Sequence, residues 1–581
     1  MIPRNEYPRP QLVRDDNSWM NLNGKWYFEI DNGDSGGARG LYKAETLERE
    51  IIVPFVPESE ASGICHTDFM LRVWYCRKFE LPSYFDTEKG RVILRFGAMN
   101  YEGQVWINDT FMGQHNGGYV PAAFDITDAL CKGENRINVT CKNDVRNPLQ
   151  PSGKQCSQYN NYGCFYTRCT GIWQTVWLEY VPNVYVDSIK MIPDVNGEEL
   201  DVTVYLCGGN ADITARVSYK GEFVSEAKAV SCCNTATFSL DVPSPHLWDI
   251  GNPELYDIEI TAGEDKITSY FGMRSVDIEG NKFKINGRTV FMRLVLDQGY
   301  YEKGIYTALS DDEFVRDIEL SMACGFNGAR MHMKVFEPRF LYHADRMGYI
   351  LWDEYPNWGL DISRPEAMHS MLPEWMDVLK RDVNSPAVIG WCPFNESWIG
   401  DSNRLYVAAY DVTKMYDHTR PVIDTSGWIH TGKTDIYDVH DYVQEISEFE
   451  SHYSGLKDGG WVFTNGDGGP KTLPYDRKQP YFVSEFGGSF WDIDTVVKSG
   501  AQGSGDAWGY GGAPQSKEEL QQRMIDLCTV LLDNPGVCGF CYTQFTDVMQ
   551  EMNGVFSFDR RPKVDLDAVR AVITKKAAIE D

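Results

Sequence analysis

The sequence predicts a multidomain protein: a β-sandwich over residues 1–181, an immunoglobulin-like β-sandwich over 182–275 and a C-terminal (β/α)8 TIM barrel over 276–581. Three observations predict it. A chain of 581 residues is longer than one hydrophobic core holds. Short strands with period-two alternation and turn punctuation fill its first half. From about residue 276 the period changes, and apolar runs alternate with helical patterns.

In the first region, "GKWYFEI", "VWYCRKFEL", "RVILRFGAM", "GQVWINDTFMGQHNGG", "NRINVTCKN" and "GIWQTVWLEYV" are the strands of a sandwich. The second continues with "VYVDSIKMI", "LDVTVYLCG", "DITARVSYKG", "TATFSLDV" and "LYDIEITAG", and "PSPHLWDIGNPELY" reads as its Pro-rich crossing loop. In the third, "TVFMRLVLDQG" precedes a helix that opens on a Ser-Asp cap and stops at Gly325. Next come "FNGARMH" with the helix around "PRFLYHADRMG", "YILWDEYPNW" with "EWMDVLKRDVN", and "AVIGWCPFNESW" with "SNRLYVAAYDVTKMYD". "PVIDTSGW", "DIYDVHDY", "YFVSEFGG" with "KEELQQRMIDLCTVLLD", and "VCGFCYTQFTD" with "LDAVRAVITKK" close the series. Eight strands interleaved with helices match a (β/α)8 barrel, whose active site forms at the C-terminal strand ends.

Composition excludes several partners. With 55 basic and 84 acidic residues the net charge is −29, which repels nucleic acid and anionic membranes. The N-terminus lacks the apolar core of a signal peptide and no run is long enough to span a bilayer, so the expected compartment is the cytoplasm. The 15 cysteines lack zinc-like spacing and are expected as free thiols. A 13% aromatic share with 16 Trp favours carbohydrate partners, since these rings stack on sugar faces and keep a polar edge.

Polar residues gather where the barrel has its mouth: Asp297, Arg330, His332, Asp353, Glu354, Asn395, Glu396, Asp424, Ser426, His440, Asp441, Tyr442, Glu485, Tyr542 and Gln544. Any one of them is most simply a helix cap or a salt-bridge partner. Desolvating the whole set costs more than its mutual pairing returns unless it has a task. Glu396 and Glu485 end the fourth and seventh strands and face each other across the mouth. Two carboxylates flanking one bond are the minimum for glycoside hydrolysis, one donating a proton and the other attacking or activating water. Asn395 places an amide beside Glu396, suited to a sugar hydroxyl.

The chain resembles glycoside hydrolase family 2 over essentially its whole length. "LNGKWYFEID", "VPFVPESEASGI", "VWYCRKFELP", "FGAMNYEGQVWINDTFMGQHNGGYVPAAFDIT" and "GIWQTVWLEY" resemble the family's jelly-roll sugar-binding domain. "FGMRSVDIEGNKFKINGRTVFMRLVLDQGYY" resembles its entry to the barrel, "GWCPFNESW" the acid/base motif and "FVSEFGG" the nucleophile motif. The resemblance implies a retaining exo-glycosidase working through a covalent glycosyl-enzyme. In it Glu396 is the acid/base, Glu485 the nucleophile, Asn395 the contact to the 2-hydroxyl and Tyr442 a tyrosine near the nucleophile. Retention implies carboxyl groups about 5–5.5 Å apart.

Departures from the family bear on the sugar. The β-glucuronidase branch grips a uronate with Asn-x-Lys; here Glu551 and Asn553 stand in those places, and a carboxylate at Glu551 disfavours a uronide. The β-galactosidase Ser-His-Tyr-Pro stretch is "RMHMKVFEP", with His332 shifted by one, and the magnesium-ligand histidine is missing, with Trp398 nearby. No metal and no cofactor is expected. The expected substrate is a small glycoside with a neutral, β-galactoside-like terminal sugar; β-mannoside and α-L-arabinofuranoside specificities stay open, as does a homo-oligomer. A non-catalytic carbohydrate-binding scaffold is the rival from another class.

Further candidate contacts are Asp297, His332, Lys334, Trp391, Trp428, His440, Tyr542 and Glu551, with Arg168 and Tyr166 on the aromatic loop "KQCSQYNNYGCFYTRCTG" that reaches the barrel mouth in the resembled family. Each has an ordinary packing or capping role as its competitor. The Gly-rich stretches within 452–480 and 498–516 are expected to act as lids or specificity walls carrying Trp461 and Trp508.

Overall fold

The computed structural model describes residues 2–398, 403–466, 472–493 and 507–580. Near the N-terminus a six-stranded antiparallel sheet, ordered Arg49–Val53, Gly24–Ile30, Arg72–Glu80, Glu134–Lys142, Glu102–Ile107 and Thr110–Asn116, accompanies a four-stranded sheet that includes Gly90–Phe96 and Val176–Pro182. Their inward alternate residues, among them Trp26, Phe28, Val73, Tyr75, Leu94, Val139 and Leu178, make one core. A second sandwich pairs three strands with four, and in Glu199–Cys207 the buried Leu200, Val202, Val204 and Leu206 alternate with exposed or half-exposed Asp201, Thr203 and Tyr205. This is the alternation that a sheet with one wet face requires.

The barrel follows as β1 (Met292–Asp297), α1 (Asp311–Ala323), β2 (Gly328–Met331), α2 (Pro338–Met347), β3 (Ile350–Glu354), α3 (Ala367–Asp382), β4 (Val388–Cys392), α4 (Arg404–Tyr416), β5 (Tyr437–Asp441), α5 (Ile446–Asp458), β6 (Tyr481–Gly487), α6 (Lys517–Leu532), β7 (Val537–Thr543) and α7 (Leu566–Ile573). Every residue of these strands is buried, as expected for parallel strands covered on both faces. The sheet runs β4-β3-β2-β1-β7-β6-β5. Residues 421–428 fill the gap between β4 and β5 with single parallel bridges only, Trp391 to Val422 and Asn395 to Ser426. Eight even staves were expected. Pro421 has no amide hydrogen to give, and Gly427 turns the chain at φ +66°, so this fifth stave stays irregular.

Two helices differ from expectation. α3 begins at Ala367 rather than at Glu374. α5 takes in residues read as the start of a Gly-rich insert; it is capped by the Glu445 side chain accepting from Glu448 N and stopped by left-handed Gly459.

Buried polar joints fix the barrel against both sandwiches. Arg4 pairs with Glu337 at 2.9 Å and Asp311 at 3.2 Å, and Tyr270 donates to Asp345 at 2.7 Å. Glu374 on α3 accepts from Tyr119 N at 2.9 Å and Tyr355 Oη at 2.7 Å; burial pushes its carboxyl up to about 7. The first sandwich is thereby held over the barrel mouth.

Candidate active site

Glu485 lies inside β6 and Glu396 in the turn after β4, where Pro393 ends the strand. Glu396 holds φ +39°, and its amide donates to Ser426 O at 2.9 Å, which pins the turn to the irregular fifth stave. A non-glycine residue held this way stores about 1–3 kcal/mol of strain, an expense concentrated at functional sites.

Between the two glutamates stands His440 at the end of β5. Its Nδ1 is 2.7 Å from Glu396 Oε1, its Nε2 is 3.4 Å from Glu485 Oε1, and one ligand atom of each of the three residues lies within 4.8 Å of the others. Ser426 Oγ sits 3.0 Å from Nε2 and gives its own proton to Asp438, so the imidazole meets hydrogen-bond acceptors on both nitrogens. Both nitrogens protonated is the state that satisfies them. Burial opposes that charge, but Glu485 and Glu396 more than offset it and raise His440 above its ordinary value. In the same way burial pushes Glu396 up, yet the His440 hydrogen bond and charge, with Lys154 and Arg330, leave it below the usual carboxylate range.

Glu485 is the deeper of the pair, its side chain 5% exposed against 16% for Glu396. It accepts from Arg330 Nη1 at 3.0 Å and from the Tyr442 hydroxyl. Arg330, on β2, also donates to Glu354 at 2.6 Å and to Asn395 Oδ1 at 2.6 Å. That second bond turns the Asn395 amide so that buried Nδ2 has no partner among the described residues, a donor left for a ligand. The trio of Glu396, His440 and Glu485 is the one cluster among the described residues dense enough to suggest a cation. Arg330 already pairs with Glu485 in this cluster, and His440 bridges the two carboxylates.

Other expected contacts divide. Asn395, Tyr442 and His440 converge on the glutamates, and Trp428 stands at the rim with its ring 4.8 Å from Trp398. His332 is buried, 3.0 Å from Glu354 and held neutral, chiefly by desolvation, with Lys154 adding to it. Asp297 closes β1 and accepts from Gly299 N at 2.8 Å; burial lifts its carboxyl to about 6. Lys334 does not face the sugar site: its ammonium donates to Gly299 O and Tyr306 O inside a box of Trp173, Tyr301, Tyr306 and Phe336. Arg168 clamps its own loop, donating to Cys156 O, Gln158 O and Thr67 O over the face of Phe69. Trp391 points out of the mouth, donating to Asp417 at 2.8 Å with its ring against Trp375. Tyr542 packs on Gly487, where a Cβ would lie 2.3 Å from the ring, and Gly488 likewise makes room for Tyr510. The glycines after Glu485 thus admit aromatic rings.

Glu551 is present at the mouth with both carboxylate oxygens hydrogen-bonded. One of its oxygens accepts from the Tyr166 hydroxyl and the other from Asn553 Nδ2 at 3.0 Å, and burial pushes its carboxyl up. Tyr166 comes from the aromatic loop of the first sandwich, 385 residues away in sequence. The same loop accepts from Trp508 Nε1 at Gly163 O, 2.6 Å, and Tyr510 stacks on Tyr442 at 3.5 Å. Residues 507–510 therefore form a wall, the part of the second Gly-rich stretch that lies among the described residues. Residues 467–471 and 494–506, where the lid expectation also falls, lie outside them. Trp461 is 65% exposed beside His452. Sequence reasoning missed Lys154 as a partner of this site and gave Arg330 no role, and nothing local in the sequence marks either; Tyr166, expected with Arg168 as a loop contact to the substrate, meets Glu551.

Family profiles match the chain in order: "Glycosyl hydrolases family 2, sugar binding domain" at residues 66–182, "Glycosyl hydrolases family 2" at 184–274, and the TIM barrel domain of that family at 276–489. The β-glucuronidase of Felis catus is 26% identical over 462 residues, 72% of this chain and 69% of the relative. A β-galactosidase of Lactococcus lactis subsp. lactis (strain IL1403) is 25% identical over 404 residues, 66% of this chain and 37% of that longer protein. Among solved structures, a β-glucuronidase from an uncultured Clostridium sp. superposes with TM-score 0.80 at 19% identity, covering 98% of this chain and all of that one (100%). The Ruminococcus gnavus β-glucuronidase in complex with D-glucuronic acid gives 0.79 at 20%, with 98% and 100% coverage, a likeness of fold. With three consecutive profiles of one family matched along the chain, the protein belongs to glycosyl hydrolase family 2 and is a glycoside hydrolase.

Proposed function

We propose that the protein is a retaining exo-glycosidase that releases a terminal β-linked hexopyranosyl group through a covalent glycosyl-enzyme, with Glu485 as nucleophile and Glu396 as acid/base. The observation that carries this reading is the separation of the two carboxylates, which bring oxygens within 4.8 Å of each other. An inverting pair must stand about 6.5–9.5 Å apart to admit water between carboxylate and sugar. Exo action is supported by the aromatic loop and residues 549–553, which join through Tyr166 and Glu551 and wall off one side of the mouth. The relatives named β-glucuronidase and β-galactosidase support a β-hexopyranoside. The preference for a neutral sugar rested on Glu551 as an open negative charge; both its oxygens are engaged within the protein, and its charge faces the Lys154 ammonium.

In the glycosylation step Glu485, oriented by Arg330 and Tyr442, attacks the anomeric carbon, and the leaving oxygen takes a proton from Glu396. Glu396 is ionised in the free site, so its proton comes from the His440 imidazolium 2.7 Å away. In the second step Glu396 takes a proton from water, and the water oxygen displaces Glu485. Asn395 Nδ2 holds the 2-hydroxyl throughout. Proton NMR of the first sugar formed from 4-nitrophenyl β-glycosides tests the mechanism: the β anomer is expected first, and the α anomer would overturn retention.

His440 gives a pH prediction. Its acid form is raised above its ordinary value, so the pair keeps its transferable proton beyond the pH at which an unperturbed imidazole loses it, and activity falls once pH exceeds the raised value. In His440→Asn the proton must rest on Glu396 alone, beside Lys154 and Arg330, so the alkaline limb of kcat/KM moves to lower pH. kcat at pH 7 is expected to drop about 10–100-fold. An unmoved limb would remove His440 from the proton path.

A further inference from the structure

The first sandwich carries into the barrel mouth a cation that the fold itself does not use. Lys154 is 7% exposed; among the described residues its ammonium donates no hydrogen bond and makes no ion pair, and it lies 5.2 Å from the Trp358 ring centroid. Its surroundings are those of the reaction site. Burial works against its charge, while Cys164, Glu551, Glu485 and Glu396 together keep it protonated. In turn its field reaches His332 and Glu396. Trp358, whose ring the ammonium overlies, donates Nε1–H to Asn395 O at 3.1 Å, so Lys154 stands beside the residue that precedes Glu396.

The backbone fixes this placement. Ser152 N donates to Trp358 O at 2.7 Å and Gly153 N to Pro356 O at 3.1 Å, both on the loop after β3. Gly153 holds φ +57°, and a Cβ there would fall 2.5 Å from Met333 O, so only glycine lets the chain approach this closely. On the other side Tyr166 N donates to Lys154 O at 2.8 Å, and Cys156 N to Tyr166 O at 2.8 Å. A buried ammonium held this firmly without a counterion is costly unless a ligand supplies one.

The facing wall explains why the counterion is not already a protein group. Both Glu551 oxygens are turned to Tyr166 and Asn553 and make no contact with the ammonium, and Asn553 in turn accepts from Gln544 at 2.7 Å and Gln544 from Gln298 at 2.8 Å. This chain of side chains closes the place where Asn-x-Lys stands in the uronide-binding branch of the resembled family. The positive charge arrives instead from another domain. We propose that Lys154 is the specificity-determining residue of this site and that its ammonium takes the carboxylate of a terminal β-linked uronic acid. The proposal rests on the reading of the barrel mouth as the glycosidase site.

Wild type, Lys154→Met and Lys154→Arg are to be compared on 4-nitrophenyl β-D-glucuronide, β-D-galacturonide, β-D-glucoside and β-D-galactoside, with thermal melts of each protein. The wild type is expected to favour uronides. In Lys154→Met the ratio of uronide to neutral kcat/KM falls by on the order of 100-fold, mainly through KM, as when one partner of a buried charge pair is truncated. Lys154→Arg recovers part of it. Competitive inhibition of the wild type by free D-glucuronate, stronger than by D-glucose or D-galactose, reads the same contact without any variant. Wild-type hydrolysis of neutral hexosides alone, or an equal loss on all four substrates with no preference for glucuronate, overturns the uronide proposal and leaves the glycosidase reading standing. No turnover of any substrate by the wild type strikes that reading itself.

Discussion

Glu485→Ala is expected to lower kcat by on the order of 10⁵-fold, because the attacking group itself is removed and only binding and electrostatic contributions survive. Glu485 is 4% exposed and lies within a fully buried strand, so the fold must be checked alongside activity. Glu485→Gln is the companion variant: its carbonyl oxygen still accepts from Arg330 Nη1 while its NH2 donates to the Tyr442 hydroxyl oxygen, and it should melt near the wild type while remaining inactive. In the alanine variant the vacated space faces the anomeric carbon. Azide admitted there restores turnover and yields the α-glycosyl azide, the inverted product that only loss of the nucleophile gives. Activity of Glu485→Ala within tenfold of the wild type would sink the assignment.

Glu396→Ala is expected to cost about 10²–10⁴-fold on substrates whose leaving group must be protonated. On 2,4-dinitrophenyl glycosides, whose leaving group departs as a stable anion, the first step survives and the glycosyl-enzyme accumulates, seen as a burst followed by a slow steady state. Azide in this variant attacks the trapped intermediate on the face Glu396 served, giving the β-glycosyl azide. The two variants thus give azides of opposite configuration, which assigns the roles of the glutamates independently of any rate. A loss that is the same for good and poor leaving groups would remove Glu396 from proton transfer. The more exposed position of Glu396 agrees with its place on the side from which the leaving group exits.

Much of the site was legible in the sequence because its signals are local. The apolar run "AVIG" followed by Pro393, Asn395 and Glu396 marks a parallel strand and its C-terminal end, and "YFVSEFGG" does the same for Glu485. Tyr442 was legible by resemblance. The candidates that moved, Lys334, Arg168 and Trp391, share one reason. Proximity to a strand end in sequence does not say which way a side chain points, and each found acceptors elsewhere: backbone carbonyls for the two cations and Asp417 for the indole.

By itself the sequence determined the three-domain order, the barrel, and the presence of two glutamates and an amide at its mouth, since alternation, the change of period and strand-end motifs are written in adjacent residues. The tertiary structure alone decided the charge around the substrate. Arg330 orients Asn395 and Glu485 from a different strand, His440 stands between the two glutamates, Tyr166 and Asn553 hydrogen-bond Glu551, and Lys154 enters from a different domain. Electrostatics depends on distance in space and on burial, and neither is fixed by position along the chain until the chain has packed.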